Sequence, residues 1–217
     1  MDKVKILLDM DGVLVDFIGR FLELQFPFDY GYAKDEFLSG KSFPLDDGLD
    51  PYVVPPRGTS LEEWKAAVID KLTAYVWATM DRLPWAYPLL DMLKNRFGAE
   101  SIWLCTSAGM PETKWYMHSL SGKAGWIHQH VPWLGNRLIV TSQKEKLLEW
   151  SKDCVLIDDR WMVVEPFVAA GGRAVLCPQW WNKYWEHLIV DGKIGWYNEK
   201  CVESVLRVIE KQLDEMT

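Results

Sequence analysis

The feature that most constrains this chain is a set of short apolar runs, four of them ending on hydroxyl or carboxylate residues, separated by stretches of helical period. Val4-Lys5-Ile6-Leu7-Leu8 closes on Asp9, and Ser101-Ile102-Trp103-Leu104-Cys105 closes on Thr106-Ser107. Arg137-Leu138-Ile139-Val140 closes on Thr141, and Cys154-Val155-Leu156-Ile157 on Asp158-Asp159. A fifth run is Ala174-Val175-Leu176. Runs this short and apolar read as buried strands. Between them, apolar spacing predicts helices over 13–24, from about 60 to 76, over 89–97, within 111–120, around 123–130 and over 199–216. Strands alternating with helices imply an α/β fold with a doubly wound parallel sheet. Ligands of such sheets bind beyond the carboxyl ends of the strands, where these polar residues fall.

The residue types at those ends suit one kind of chemistry. Asp9, Asp11, Asp158 and Asp159 are four carboxylates that repel one another unless a cation neutralises them, and oxygen ligands suit Mg²⁺. Lys144 follows the third strand and brings one ammonium, and Thr106 and Ser107 bring hydroxyls. An Asp carboxylate accepts a phosphoryl group, which makes Asp9 the candidate nucleophile. Asp11 is then the candidate acid and base, protonating the leaving oxygen and later deprotonating water. Taken singly each piece is ordinary: an Asp-x-Asp, a Thr-Ser helix cap, a surface lysine, an Asp-Asp turn. Their joint order at successive strand ends carries the reading.

Composition narrows the partners. A net charge of −7 disfavours an extended nucleic-acid groove but permits a small anion held by a metal and lysine. The four cysteines show no CxxC pair or Cys/His metal spacing and read as buried free thiols. The chain enters its first strand without a signal-peptide pattern, and no apolar run reaches the roughly 20 residues of a membrane span. A cytoplasmic protein with no membrane partner is the expectation.

At these residues the sequence resembles the haloacid-dehalogenase (HAD) superfamily of phosphohydrolases. Asp9-Met10-Asp11-Gly12-Val13-Leu14-Val15-Asp16-Phe17 looks like its first motif and Leu104-Cys105-Thr106-Ser107 its second. Lys144 matches the third, and Leu156-Ile157-Asp158-Asp159-Arg160 the fourth. Lys123-x-x-Trp126, Thr141-x-x-Lys144, and Gly171-Gly172 followed by Asn182 are similar to the 5'(3')-deoxyribonucleotidase family. The resemblance implies a Rossmann-like core over 1–17 and 83–217, with a small, mainly helical cap at 18–82 inserted after the first strand. It implies Asp9 as nucleophile, Asp11 as acid and base, and Mg²⁺ on Asp9, the Asp11 carbonyl and Asp158, with Asp159 in support. It also implies phosphate held by Thr106, Ser107 and Lys144, with Lys123 as a further anion-binding candidate.

The implied substrate is a nucleoside monophosphate. The segment 25–60 is rich in aromatics, and Phe43 and Trp77 are the favoured substrate contacts, because rings stack on bases. Two other readings stand beside it: a phosphatase for another small ester such as a sugar phosphate, and a catalytically silent nucleotide-binding module. The Trp-rich stretch 179–185 has two readings, a homodimer interface and packing on the sheet.

Overall fold

The computed structural model describes residues 4–25, 63, 70–109, 115–179, 182–184, 189–190, 193–194 and 199–216. Most of the aromatic segment 25–60, Phe43 included, lies outside the described residues, as do Trp180, Trp181 and Trp185. Two compact units divide the chain: Met1–Val15, Arg82–Ser107 and Pro132–Thr217 form the first, Asp16–Asp81 and Ala108–Val131 the second. The second unit thus takes in 108–131 as well as the segment the sequence assigned to a cap.

The first unit holds a five-stranded sheet of β1 (Lys5–Leu8), β2 (Ile102–Thr106), β3 (Leu138–Val140), β4 (Cys154–Asp158) and β5 (Arg173–Leu176). The order is β3-β2-β1-β4-β5 and every pairing is parallel. This is the expected doubly wound α/β sheet. The order reverses at β1, which makes the β1–β4 edge a topological switch point. Ile6, Leu7 and Leu8 alternate faces and are all fully buried, so both faces of the sheet are covered. On one face Leu7, Cys105, Cys154, Leu156 and Phe167 form a single cluster. Leu7, Leu156 and Phe167 each contribute roughly 1.5–3 kcal/mol through burial.

Helices of this unit start and stop where local chemistry dictates. The helix Ala86–Phe97 buries Leu89, Leu90 and Leu93, carries Lys94 and Arg96 in its last turn, and ends at Gly98, whose φ is 84°. The terminal helix Glu199–Asp214 buries Cys201, Val205, Ile209 and Leu213, four residues apart. From it, Gln212 accepts from the Leu176 amide and donates to the Leu176 carbonyl, both at 3.0 Å. A helix not expected from sequence, Trp161–Ala169, follows β4 and contains Pro166.

The second unit contains helices Phe17–Gln25, Ala74–Ala78 and Tyr116–His130. The first begins four residues later than apolar spacing suggests, with Asp16 Oδ1 accepting from the Gly19 amide at 2.9 Å. Where two helices were expected within 111–130, one runs unbroken from Tyr116 to His130. Its Gly122 is not a break but a contact: an added Cβ would sit 2.2 Å from Trp77 Cβ and 2.5 Å from the Ala74 carbonyl. Gly122→Ala is therefore expected to destabilise by about 1–3 kcal/mol through overpacking, despite alanine's propensity advantage of about 1 kcal/mol. Gly125→Ala, whose nearest neighbour is Ala78 Cβ at 3.4 Å, is the control and should be neutral or stabilising. Urea unfolding of the two variants checks this; equal stabilities would refute the close helix approach. Among the described residues no helix is long and apolar enough to cross a membrane.

Candidate active site

Register alone juxtaposes two of the expected acids. β1 and β4 pair Leu8 with Ile157, and the Asp9 amide donates to the Ile157 carbonyl at 2.9 Å. The next residues, Asp9 and Asp158, therefore leave the sheet side by side, one strand spacing apart. Two carboxylates so placed need a cation. Lys144 supplies it from the first residue of the 3₁₀ turn Lys144–Glu149, after β3. Its Nζ lies 2.8 Å from Asp9 Oδ1 and 2.6 Å from Asp158 Oδ2. The contact with Asp158 is an aligned hydrogen bond; the one with Asp9 is an ion pair. Lys144 is only 4 % exposed, so its charge is little screened by water. Asp158 Oδ1 accepts from the Arg160 amide at 3.0 Å.

Asp159 joins these groups from below a glycine. Gly12 has φ 72°, and a Cβ there would lie 2.3 Å from Asp159 Oδ2. The loop from Met10 to Val15 is closed on itself: the Gly12 amide donates to Val15 O at 2.9 Å, and the Leu14 and Val15 amides donate to Met10 O at 2.9 and 3.0 Å. Trp85 Nε1 donates to Val13 O at 3.0 Å from outside the loop. This closed loop, which includes Asp11, is why the following helix starts late.

Carboxylate oxygens of Asp9, Asp158 and Asp159 lie within 4.8 Å of one another. Three carboxylates against one ammonium leave an excess of negative charge in a buried place, and hard oxygen donors match a hard divalent cation. The residues thus fit Mg²⁺ by charge and by donor type. The electrostatics agree. Burial pushes the Asp158 carboxyl above the ordinary carboxylate range, against the pull of Lys144. Burial and the Asp158 and Asp9 charges hold Asp159 well above it. Burial pushes the Lys144 ammonium toward losing its proton, but Asp158 and Asp9 outweigh burial and hold the proton above the ordinary lysine value.

Among the second-strand residues, Thr106 closes β2 and is buried, and its carbonyl accepts from the Thr141 amide at 2.9 Å. Ser107 follows it in the same unit. The neighbouring Cys105 is buried, and burial together with Asp9 and Asp158 pushes its thiol up to about 12, with Lys144 opposing. It therefore stays protonated at neutral pH and is no rival nucleophile. All four cysteines are free and buried.

Asp9, Lys144, Asp158 and Asp159 are thus brought together, with Asp11 two residues beyond Asp9 on the closed loop. Lys123 and Trp77 belong to the second unit. There Lys123 Nζ lies 4.9 Å from the Trp77 ring centroid, and Trp77 is 2 % exposed beside Phe17 and Trp115. Sequence reasoning missed Gln179, a fully buried amide that donates to the Gly12 carbonyl. A fully buried amide has no signal in one sequence; only the partner carbonyl reveals it.

No family model matches the chain, and no curated protein matches it. Solved structures do. A phosphoglycolate phosphatase, so described with reservation, from Lactobacillus delbrueckii subsp. bulgaricus is 12% identical, with 81% of this chain and 86% of that chain covered and a TM-score of 0.47. CbbY from Rhodobacter sphaeroides in complex with phosphate is 12% identical, with 91% and 92% covered and a TM-score of 0.46. A haloacid dehalogenase-like family hydrolase from Xanthomonas campestris is 13% identical, with 98% and 95% covered and a TM-score of 0.48. The fold assignment rests on this chain's own strand order and register.

Proposed function

We propose that this chain is a Mg²⁺-dependent phosphomonoester hydrolase of the HAD type, acting on (deoxy)nucleoside monophosphates through an aspartyl-phosphate on Asp9. The observation that carries this reading is the buried Asp9–Lys144–Asp158 arrangement at the β1–β4 switch point, at 2.8 and 2.6 Å. Nothing in a parallel sheet needs two adjacent buried acids bridged by a buried lysine for stability, since apolar residues there would serve as well or better.

The chain's own residues supply each step. An Asp9 carboxylate oxygen attacks phosphorus, forming an acyl phosphate as the bond to the leaving oxygen breaks. Asp11 gives that oxygen its proton. Asp11 then takes a proton from water, whose oxygen attacks the same phosphorus; the bond to Asp9 breaks and inorganic phosphate leaves. Lys144 keeps positive charge beside the attacking oxygen, and Thr106 and Ser107 offer hydroxyls to the phosphate oxygens. Asp9, the Asp11 carbonyl and Asp158, supported by Asp159, would hold Mg²⁺, which would supply charge neutralisation for the phosphoryl group. The aromatic-rich sequence around Phe43 supports a base-bearing leaving group.

A panel of monophosphates with Mg²⁺, and with EDTA as control, tests the reading. Turnover of nucleoside monophosphates that vanishes with EDTA is expected. Equal rates on sugar phosphates and dUMP would sink the nucleotide assignment, and no Mg²⁺-dependent turnover of any ester would sink the hydrolase. The same metal has a readout in stability. At 100 times its dissociation constant Mg²⁺ stabilises by about 2.7 kcal/mol, which for a chain of this size raises the melting temperature by roughly 5–10 °C. An unchanged melting curve would remove the metal from the site.

A further inference from the structure

The segment after β5 reaches back to both acidic loops of the first unit. Gln179 is fully buried, and its Nε2 donates to the Gly12 carbonyl. A carbonyl accepts only, so the amide nitrogen must face it. Among the described residues, Gln179 Oε1 then has no hydrogen-bond partner. A buried amide oxygen left in that state is destabilising, and it offsets what the bond to the buried Gly12 carbonyl contributes. Stability alone is therefore a weak reason for an amide here.

Its contact falls at a sensitive point. Gly12 sits at φ 72°, the left-handed region. The peptide before it is tied by the Gly12 amide to Val15 O at 2.9 Å. The peptide after it is tied by its carbonyl to Gln179. With both peptides held, rotation at Gly12 is restrained, and the Asp11 carbonyl, which shares the peptide before it, keeps its direction.

Asn182 does the equivalent for the other loop. Its Nδ2 donates to the Asp159 carbonyl at 3.0 Å and to the Cys177 carbonyl at 2.7 Å. Its Oδ1 accepts from the Tyr184 amide at 3.1 Å and the Gln179 amide at 3.3 Å. The Cys177 amide in turn donates to the Asp158 carbonyl at 2.8 Å. One asparagine thus joins the backbone beneath Asp159 to the backbone that presents Gln179.

We propose that Gln179 and Asn182 are positioning residues, which hold the Gly12 and Asp159 carbonyls and thereby fix Asp11 and Asp159 against the Asp9–Lys144–Asp158 cluster. The inference rests on the phosphohydrolase reading of that cluster. Neither side chain takes part in a bond-making step; both act through the backbone of residues that do. Outer groups of this kind set metal affinity and turnover, and their loss changes either by about 10–100-fold.

Two near-isosteric variants of the full chain separate positioning from packing. Gln179→Met removes the donor to Gly12 and keeps the volume. Asn182→Asp keeps the acceptor that Tyr184 and Gln179 use, so the turn survives, but sets a carboxylate oxygen against two carbonyls. The measurements are melting temperature, Mg²⁺ affinity by calorimetry, and kcat and KM on the best monophosphate of the panel. Gln179→Met leaves the Gly12 carbonyl without a donor but removes the unpartnered Oε1, so it is expected to melt close to wild type while kcat falls about 10–100-fold with KM little changed. Asn182→Asp is expected to bind Mg²⁺ about tenfold more weakly and to lose kcat as well. Wild-type kcat and Mg²⁺ affinity in both variants would overturn the inference while leaving the hydrolase intact. Failure of both variants to fold would overturn it too, since the two amides would then be elements of the fold. A wild-type chain with neither turnover nor Mg²⁺ binding would instead remove the function on which the inference rests.

Discussion

Asp9→Asn is expected to abolish turnover, by at least about 10⁴-fold in kcat, while the chain folds as before. The size follows from the step removed. An amide oxygen is a far weaker nucleophile than a carboxylate, and losing a covalent nucleophile in comparable enzymes costs on the order of 10⁴–10⁶ in kcat. The preserved fold follows from the surroundings. Asn keeps an oxygen towards Lys144, whose Nζ retains Asp158 at 2.6 Å. It also removes one of the charges that Asp158 and Asp159 oppose in a buried place, since Asp9 raises both of their pKa values. The melting temperature without Mg²⁺ is thus expected to equal or exceed that of wild type. Asp9→Glu gives the complementary result: the charge stays but the carboxylate moves by one methylene, and misplacement of about 1 Å costs on the order of 10²-fold. Steady-state assays and thermal melts of both variants check these expectations. Wild-type activity in Asp9→Asn would refute the nucleophile. Inactivity accompanied by loss of folding would show only that Asp9 holds the sheet together. Acid-quenched wild type should also carry the mass of one phosphoryl group, and Asp9→Asn should not.

How far the sequence foretells this site depends on the kind of interaction involved. The strands were legible because burial on both faces demands continuous apolar residues, as in Ile6, Leu7 and Leu8. The acids were legible because a polar residue directly after such a run lies at the strand end. That Asp9 and Asp158 stand beside each other is implied by the family resemblance but not by the strand pattern, because it depends on β1 pairing with β4, far apart in the chain. The helix Trp161–Ala169 escaped notice because Pro166 reads as a breaker. In the fold, burial of Val164 and Phe167 outweighs the one lost bond. The two helices expected within 111–130 proved to be one, which passes through Gly122. Gly122 is the place where two helices approach closely, a tertiary fact that local propensity does not contain. Gln179 and Asn182 act on backbone carbonyls, which every residue possesses, so their targets have no sequence signature at all.

Removal of the buried Lys144 cation should have the largest effect on stability. In Lys144→Met, Asp9, Asp158 and Asp159 remain crowded within 4.8 Å without the Lys144 ammonium. Breaking one side of a buried ion pair costs about 3–5 kcal/mol, so the melting temperature should fall by roughly 10 °C. Turnover should fall with it, because the positive charge beside the attacking oxygen is gone. The sign of the pH dependence follows from the raised lysine. In wild type the pairing contributes stability in full below the ordinary lysine value of 10.5, and loses it as pH rises through the higher folded value. In Lys144→Met that contribution is missing at every pH, and the remaining acids hold protons more tightly folded than unfolded. The variant is therefore most stable in acid and loses stability as pH rises through the carboxylate range, the slope being set by the extra protons bound in the folded state. Added Mg²⁺ should recover more of the lost melting temperature than it adds to wild type, because it then meets the full charge of three carboxylates. Lys144→Arg should not rescue activity, since a planar fork does not fit the space of an ammonium that is 4 % exposed. A variant with unchanged melting temperature would mean that the cation is dispensable to the folded state, and the charge argument for a metal at this strand end would fall with it.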